Sequence, residues 1–158
     1  MVASDGGVFA FGDAQFEGSC PGTGGCSGAA VAVVPYNSGG YWLVTATGHV
    51  YAFGDAFNWG QPGPQSVPVT AAAADGDGYW ILFSNGTVDA YGTASALGGP
   101  ADSVGVLDPA SAIFGTVDGG GYWVASAEGA VYAYGDATND GGMAGQHLNG
   151  SIIAGTGW

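Results

Sequence analysis

Three aspartates in this chain share one setting. Asp13, Asp55 and Asp136 each follow a glycine and precede an alanine. Hard divalent cations such as calcium take several oxygen ligands, so three equivalent carboxylates brought to one radius would offer a cation site. In the competing reading each Asp accepts backbone N–H bonds within its own tight turn. Asp75-Gly76-Asp77-Gly78 also looks acidic enough for calcium, but it lacks the spaced acids and terminal Glu of an EF-hand loop. Cys20 and Cys26 enclose Pro-Gly-Thr-Gly-Gly. That spacing suits a local disulfide in an oxidising compartment, with a two-thiol metal site as the rival. His49 and His147 lie in different parts of the chain, so neither supplies the rest of a ligand set in sequence. Trp59 beside Asn58 precedes a Gly/Pro-rich loop and is a candidate ligand-facing ring. Asp89 stands where Phe9, Tyr51 and Tyr132 stand in related stretches, which marks either a binding feature or a solvent-facing position. Choosing a Ser-His-Asp set from so many Ser and Asp residues carries no weight. There is no phosphate-binding Gly loop with a lysine, because the chain has no lysine. No catalytic residue is nominated, and the expectation is that the protein is not an enzyme.

These residues recur because the chain repeats. Gly40-Tyr41-Trp42 through Gly54-Asp55-Ala56 returns as Gly78-Tyr79-Trp80 through Gly92-Thr93-Ala94, and as Gly121-Tyr122-Trp123 through Gly135-Asp136-Ala137. A fourth copy is divided between the two ends, since Gly157-Trp158 followed by Met1-Val2 aligns with Tyr41-Trp42-Leu43-Val44. Self-similarity at this period signals a propeller, solenoid or array. Trp42, Trp80, Trp123 and Trp158 mark the four copies. Each unit reads as short strands rich in β-branched and aromatic residues, punctuated by Gly, Asn and Asp. In the unit that contains Trp42, strands are expected over 30–35, 41–45 and 49–53, with a short fourth at Phe57-Asn58-Trp59. Asn85-Gly86 favours a two-residue type I′ hairpin. Alternation places Val50 and Ala52 on one face and Tyr51 and Phe53 on the other. The recurring Tyr-Trp pairs are read as packing between units, with sugar stacking as the alternative. Four-stranded antiparallel units in tandem are what propeller blades are made of. The expected fold is therefore all-β: a small β-propeller of about four four-stranded antiparallel blades, closed by a blade shared between the N- and C-termini.

Composition narrows the partners. Across 158 residues there are 13 Asp plus Glu and no Lys or Arg, a formal charge of −13. Such a surface cannot neutralise phosphates, so nucleic acid and anionic headgroups are poor partners. It should attract cations. The 47% apolar content supports one core. No run of 18 apolar residues exists, so no membrane insertion is expected. No signal peptide is evident, so a secreted protein would be in mature or excised form.

Residues 48–61, Gly-His-Val-Tyr-Ala-Phe-Gly-Asp-Ala-Phe-Asn-Trp-Gly-Gln, are similar to the repeat of the regulator-of-chromosome-condensation propellers. More closely, the whole chain resembles the Gly-Tyr-Trp-Leu-Val-Ala-Ser-Asp-Gly-Gly-Val-Phe-Ala-Phe-Gly-Asp-Ala repeats of secreted actinobacterial proteins, and residues 1–14 follow that string almost letter for letter. It departs at Asp89, at Thr93 and in the Cys loop. The resemblance implies a β-propeller or close relative in exported, multi-domain surface proteins.

One repeat domain is expected over 1–158, with units near 150–158 plus 1–20, 30–61, 68–99 and 111–146. Its expected role is a non-enzymatic extracellular or cell-surface module that binds a polymer, such as a glycan, or a protein. The alternative is a structural protein that assembles head to tail into an extracellular filament by strand complementation, so that its partner is itself. No cofactor is expected beyond a divalent cation such as calcium.

Overall fold

The computed structural model describes residues 1–103 and 109–157. Its regular structure is almost wholly β. Strands β1 (Ala30–Pro35), β2 (Gly40–Thr45) and β3 (Val50–Gly54) form one antiparallel sheet. A second contains β4 (Val69–Asp75), β5 (Gly78–Phe83) and β6 (Val88–Tyr91). The third contains β7 (Ala110–Gly115), β8 (Gly121–Ser126) and β9 (Val131–Gly135). One 3₁₀ turn at Cys20–Thr23 and one helical turn, α1 (Pro100–Ser103), lie in the connections. Residues 1–9 make a partial hairpin held by a Val2–Val8 bridge.

The middle strands explain the repeat. β2 and β5 are buried along almost their whole length on both faces, so they read as unbroken apolar runs. Alternation still assigns the faces. Trp42 and Val44 join Tyr79, Ile81 and Phe83 in the core between the first and second sheets. Trp80 and Leu82 join Tyr122 and Val124 between the second and third. Tyr41 and Leu43 turn the other way, onto Cys20, Val2 and Val8. Each sheet therefore packs forward with its Trp and backward with its Tyr.

Three expectations need correction. First, the closed propeller of four four-stranded blades is not formed: the described residues make three separate three-stranded sheets, none closed. The fourth strand fails at 57–59 because that loop's carbonyls accept side-chain hydrogen bonds from the Trp and Tyr residues. The chain then enters Pro62, Pro64 and Pro68, which have no N–H for a ladder. Second, the shared closing blade is absent. Among the described residues no backbone hydrogen bond joins 150–157 to 1–20. The backbone shows why. Ile152 N–H binds the Ala127 carbonyl at 2.9 Å, as Val69 binds Ala46 and Ala110 binds Ser84. Ile152 is thus the start of a first strand. In the complete units the Trp follows that start by 11 to 13 positions, after a strand and a turn; Trp158 follows Ile152 by only six. Six residues cannot run out along one strand and return on the next. The equivalence of Trp158 with Trp42 therefore breaks down, and Trp158 itself lies outside the described residues.

Third, the hairpins after β2, β5 and β8 are not two-residue type I′ turns. Thr45 N–H binds the His49 carbonyl and Gly48 N–H binds the Thr45 carbonyl, with identical pairs at 83–87 and 126–130. Each loop is three residues long and ends in a left-handed glycine: Gly48 at φ 86°, Gly86 at 83° and Gly129 at 87°. A type I′ turn needs positive φ at both central residues, and among the described residues no non-glycine has it. Asn85 instead accepts the Thr87 N–H through its side chain at 3.1 Å.

That longer loop couples neighbouring sheets. The Ala46 peptide donates to Ala29 in its own sheet and accepts from Val69 of the next. Ser84 does the same between Pro68 and Ala110, and Ala127 between Pro109 and Ile152. Ser4 accepts from Ala30 in the same manner.

Candidate binding surfaces

The repeated chemistry sits in the seams between sheets. A Gly-x-Ala-x-x-x-Gly loop follows the N-terminal hairpin, at 12–18, and begins at the end of β3, β6 and β9, at 54–60, 92–98 and 135–141. Trp42 Nε1 donates to the Phe57 carbonyl at 2.6 Å, Trp80 to Ser95 at 2.8 Å, and Trp123 to Thr138 at 2.7 Å. In every case the acceptor is 15 residues on. The closing glycine of the loop takes a second bond, from the tyrosine of the following sheet: Tyr41 Oη donates to Gly18, Tyr79 to Gly60 and Tyr122 to Gly98. The rings that donate to one loop also touch. Trp42 and Tyr79 have centroids 4.9 Å apart, and Trp80 and Tyr122 4.8 Å. Burying an aromatic that carries a polar handle demands this second partner. Burial pushes the Tyr79 hydroxyl up to about 12, and Tyr122 is raised by the same cause. Tyr91, raised to about 12 by burial and then by the nearby Asp89 charge, stacks on Tyr79.

The tyrosine hydroxyls were missed in the sequence. A signal existed, since a glycine recurs six residues after the first glycine of each loop. The core-packing reading of the Tyr-Trp pairs agrees with the seams.

The expected site residues are scattered. Asp13, Asp55 and Asp136 do not converge, and among the described residues no three His, Cys, Asp or Glu side chains are grouped to hold a metal ion. Asp136 meets the Thr116 hydroxyl at 3.3 Å, in the turn before β8. Asp118 accepts from the Gly120 N–H and from the Thr116 hydroxyl, which hold its carboxyl below the usual range. Burial pushes Asp75 up. Asn58 is a turn residue whose Oδ1 accepts the Gly60 N–H at 2.9 Å. Trp59 packs on Phe57 and lies against Gly92 of the next sheet, 41% exposed. Glu17 and Leu97 hold the same place against Gly54 and Gly135, so the Trp59 position is one of edge packing. Asp89 accepts from Tyr91 at 3.4 Å and shares no hydrogen bond with Asn58 or Trp59. His49 meets Thr47 at 3.1 Å, whereas His147 lines a separate surface cleft with Glu128.

Cys20 and Cys26 are disulfide-bonded, with Cα atoms 5.1 Å apart, within the range that a bridge spans. Cys20 is wholly buried among Leu43, Tyr41 and Phe53. Its N–H binds the Gly6 carbonyl at 3.2 Å. A Cβ on Gly6 would meet both cysteines within 3 Å. The bridge is therefore no loose surface loop: it pins the N-terminal hairpin to the first sheet.

Two clefts remain. One, of about 330 Å³, lies where the first strands of the three sheets and residues 153–155 come together. Val31, Thr70 and Ser111 there are the extra residues of three identically placed bulges, and bulges often re-aim side chains at such places. The other, of about 260 Å³, lies on the outer face of the third sheet beside Trp123.

No protein-family model matches the chain, and neither a curated protein nor a solved structure matches it. Among the described residues no helix is long and apolar enough to cross a membrane.

Proposed function

We propose that the chain is a non-enzymatic extracellular scaffold whose stacked sheets hold a ligand-binding surface for a polymer, such as a glycan, or a protein. The carrying observation is the twice-repeated bolt, in which a Trp and a Tyr donate to two carbonyls of one loop. The aromatics and Asx residues that would do chemistry elsewhere are committed to holding geometry. The ligand surface is the bulge-lined cleft at Val31, Thr70 and Ser111, where rigid strands meet and small side chains leave room. The disulfide, and the resemblance to exported repeats, support an oxidising extracellular setting. The test is an array of soluble glycans and surface proteins, followed by binding to a Ser111→Trp variant. Saturable binding lost on filling the cleft is expected; a ligand bound equally by both forms would refute the assignment.

A second reading, head-to-tail assembly, is favoured by one observation. Met1 and Phe11 are 74% and 67% exposed at one end, while an apolar cleft opens at the other. Sedimentation at raised ionic strength, where repulsion between acidic surfaces is screened, should then show oligomers.

A further inference from the structure

The sequence holds two Asn-Gly pairs, Asn85-Gly86 and Asn149-Gly150, and the fold treats them oppositely. An asparagine followed by glycine carries the parts of an intramolecular reaction. The glycine backbone nitrogen is a nucleophile, the side-chain amide carbon is an electrophile, and no Cβ on the glycine keeps them apart. At the first pair both groups are held. Gly86 N–H donates to the Phe83 carbonyl at 2.9 Å, and the Asn85 side-chain oxygen accepts the Thr87 N–H at 3.1 Å. Gly86 is also buried, with Pro100 packed over it. The second pair lies in the loop that leads from the third sheet to Ile152. Asn149 and Gly150 are both exposed. Among the described residues neither the Asn149 side chain nor the Gly150 N–H has a hydrogen-bond partner. Nothing lies within 4 Å of the place where a Cβ on Gly150 would stand.

We propose that Asn149 is a site of spontaneous covalent modification, converted without any enzyme to aspartate and isoaspartate. The Gly150 nitrogen attacks the Asn149 side-chain carbon. A new N–C bond closes a cyclic imide, and the side-chain nitrogen leaves as ammonia with the proton that Gly150 gives up. Water then opens the ring. Breaking the bond to the side-chain carbonyl restores the main chain with an aspartate; breaking the bond to the main-chain carbonyl routes the chain through the side chain as isoaspartate. Nothing is oxidised or reduced, and water is the only co-reactant. The product places a new carboxylate in the cleft lined by Glu128 and His147, which shares no lining residue with the bulge-lined cleft. In the isoaspartate form the added backbone carbon lies shortly before Ile152, whose N–H is bonded to Ala127.

The experiment incubates the full chain at mildly alkaline pH, folded and in concentrated urea, and follows both sites by mass spectrometry of peptic peptides. Pepsin is chosen because the chain has no Lys or Arg for trypsin and because acid halts the cyclisation during digestion. In the folded chain Asn149 should convert at least about tenfold faster than Asn85, which is held by two hydrogen bonds, each worth a factor of about five. In urea the two should convert at similar rates, since each is an Asn-Gly pair followed by a hydroxylated residue. Asn149→Gln should remove the fast conversion and leave the slow one at Asn85 unchanged. Equal rates in the folded chain, faster conversion of Asn85, a contrast that persists in urea, or a fast conversion retained in Asn149→Gln would each overturn the proposal.

Discussion

Trp80 and Trp123 hold the same place in consecutive sheets and donate the same indole bond to the same loop position. Trp80 is wholly buried beneath Tyr122, whereas Trp123 is only half-buried, its outer side facing a cleft. The difference isolates what the neighbouring sheet contributes. The indole bond forms with or without a neighbour, so it belongs to the sheet itself. Burial of the ring and the tyrosine hydroxyl bond belong to the seam.

The sharpest way to break the comparison is to delete both rings. Trp80→Ala should cost about 3–5 kcal/mol, the range for a fully buried large-to-small change. Trp123→Ala should cost clearly less, because part of its surface is already exposed and no neighbouring sheet's tyrosine covers it among the described residues. Urea unfolding of the two variants measures both, and equal losses would mean that the seam adds nothing. Next in size is the N-terminal boundary, where the disulfide-bridged turn packs between the hairpin and the first sheet. Replacing Cys20 and Cys26 together by Ala should cost about 2–3 kcal/mol by loop-closure entropy. Amide exchange should quicken first at Ala30, which is bonded to Ser4, and leave the second seam unchanged. Intact mass with and without reductant checks the bond itself.

Smaller still is the tyrosine hydroxyl. Tyr122→Phe leaves the ring on Trp80 and should cost about 1 kcal/mol, a typical net hydrogen bond. The same seams predict an alkaline transition. The phenols are raised in the folded state, so above the unfolded value near 10 the unfolded chain releases protons that the folded chain retains. Their stability is complete below about pH 10 and is lost as pH rises towards about 12, the folded value for Tyr79 and Tyr91. Thermal midpoints across pH 8 to 12 follow it, and a flat profile would contradict the buried hydroxyls. Least affected should be Trp59→Ala, at about 1 kcal/mol or less, since this ring lies at a seam's edge.

Much of this was legible. The Gly-Tyr-Trp recurrence located every middle strand, and alternation correctly put Val50 and Ala52 on the face opposite Tyr51 and Phe53. The disulfide was readable from its spacing. The ring closure was misread because letters were matched across the termini without asking how much chain the intervening strand and turn consume. Asn85-Gly86 misled about turn type because Asn tolerates positive φ but is not obliged to adopt it. Here the side chain turns to the Thr87 N–H instead. The bulges at Val31, Thr70 and Ser111 left no mark in residue type: one is aliphatic and two are hydroxylated. Their position follows from how first strands crowd together, which is a property of the stack.

The peptides of Ala46, Ser84 and Ala127 each hand a hydrogen bond from one sheet to the next. A stack joined by identical nearest-neighbour links behaves as a one-dimensional lattice, in which each added module contributes its own stability plus one interface. The number of modules is then a free variable. Duplicating residues 69–109 would lengthen the stack by one sheet, with Pro109 preceding the second Val69 as Pro68 precedes the first, and unfolding would begin as fraying beyond the third sheet, where the segment bonded through Ile152 belongs to no sheet among the described residues.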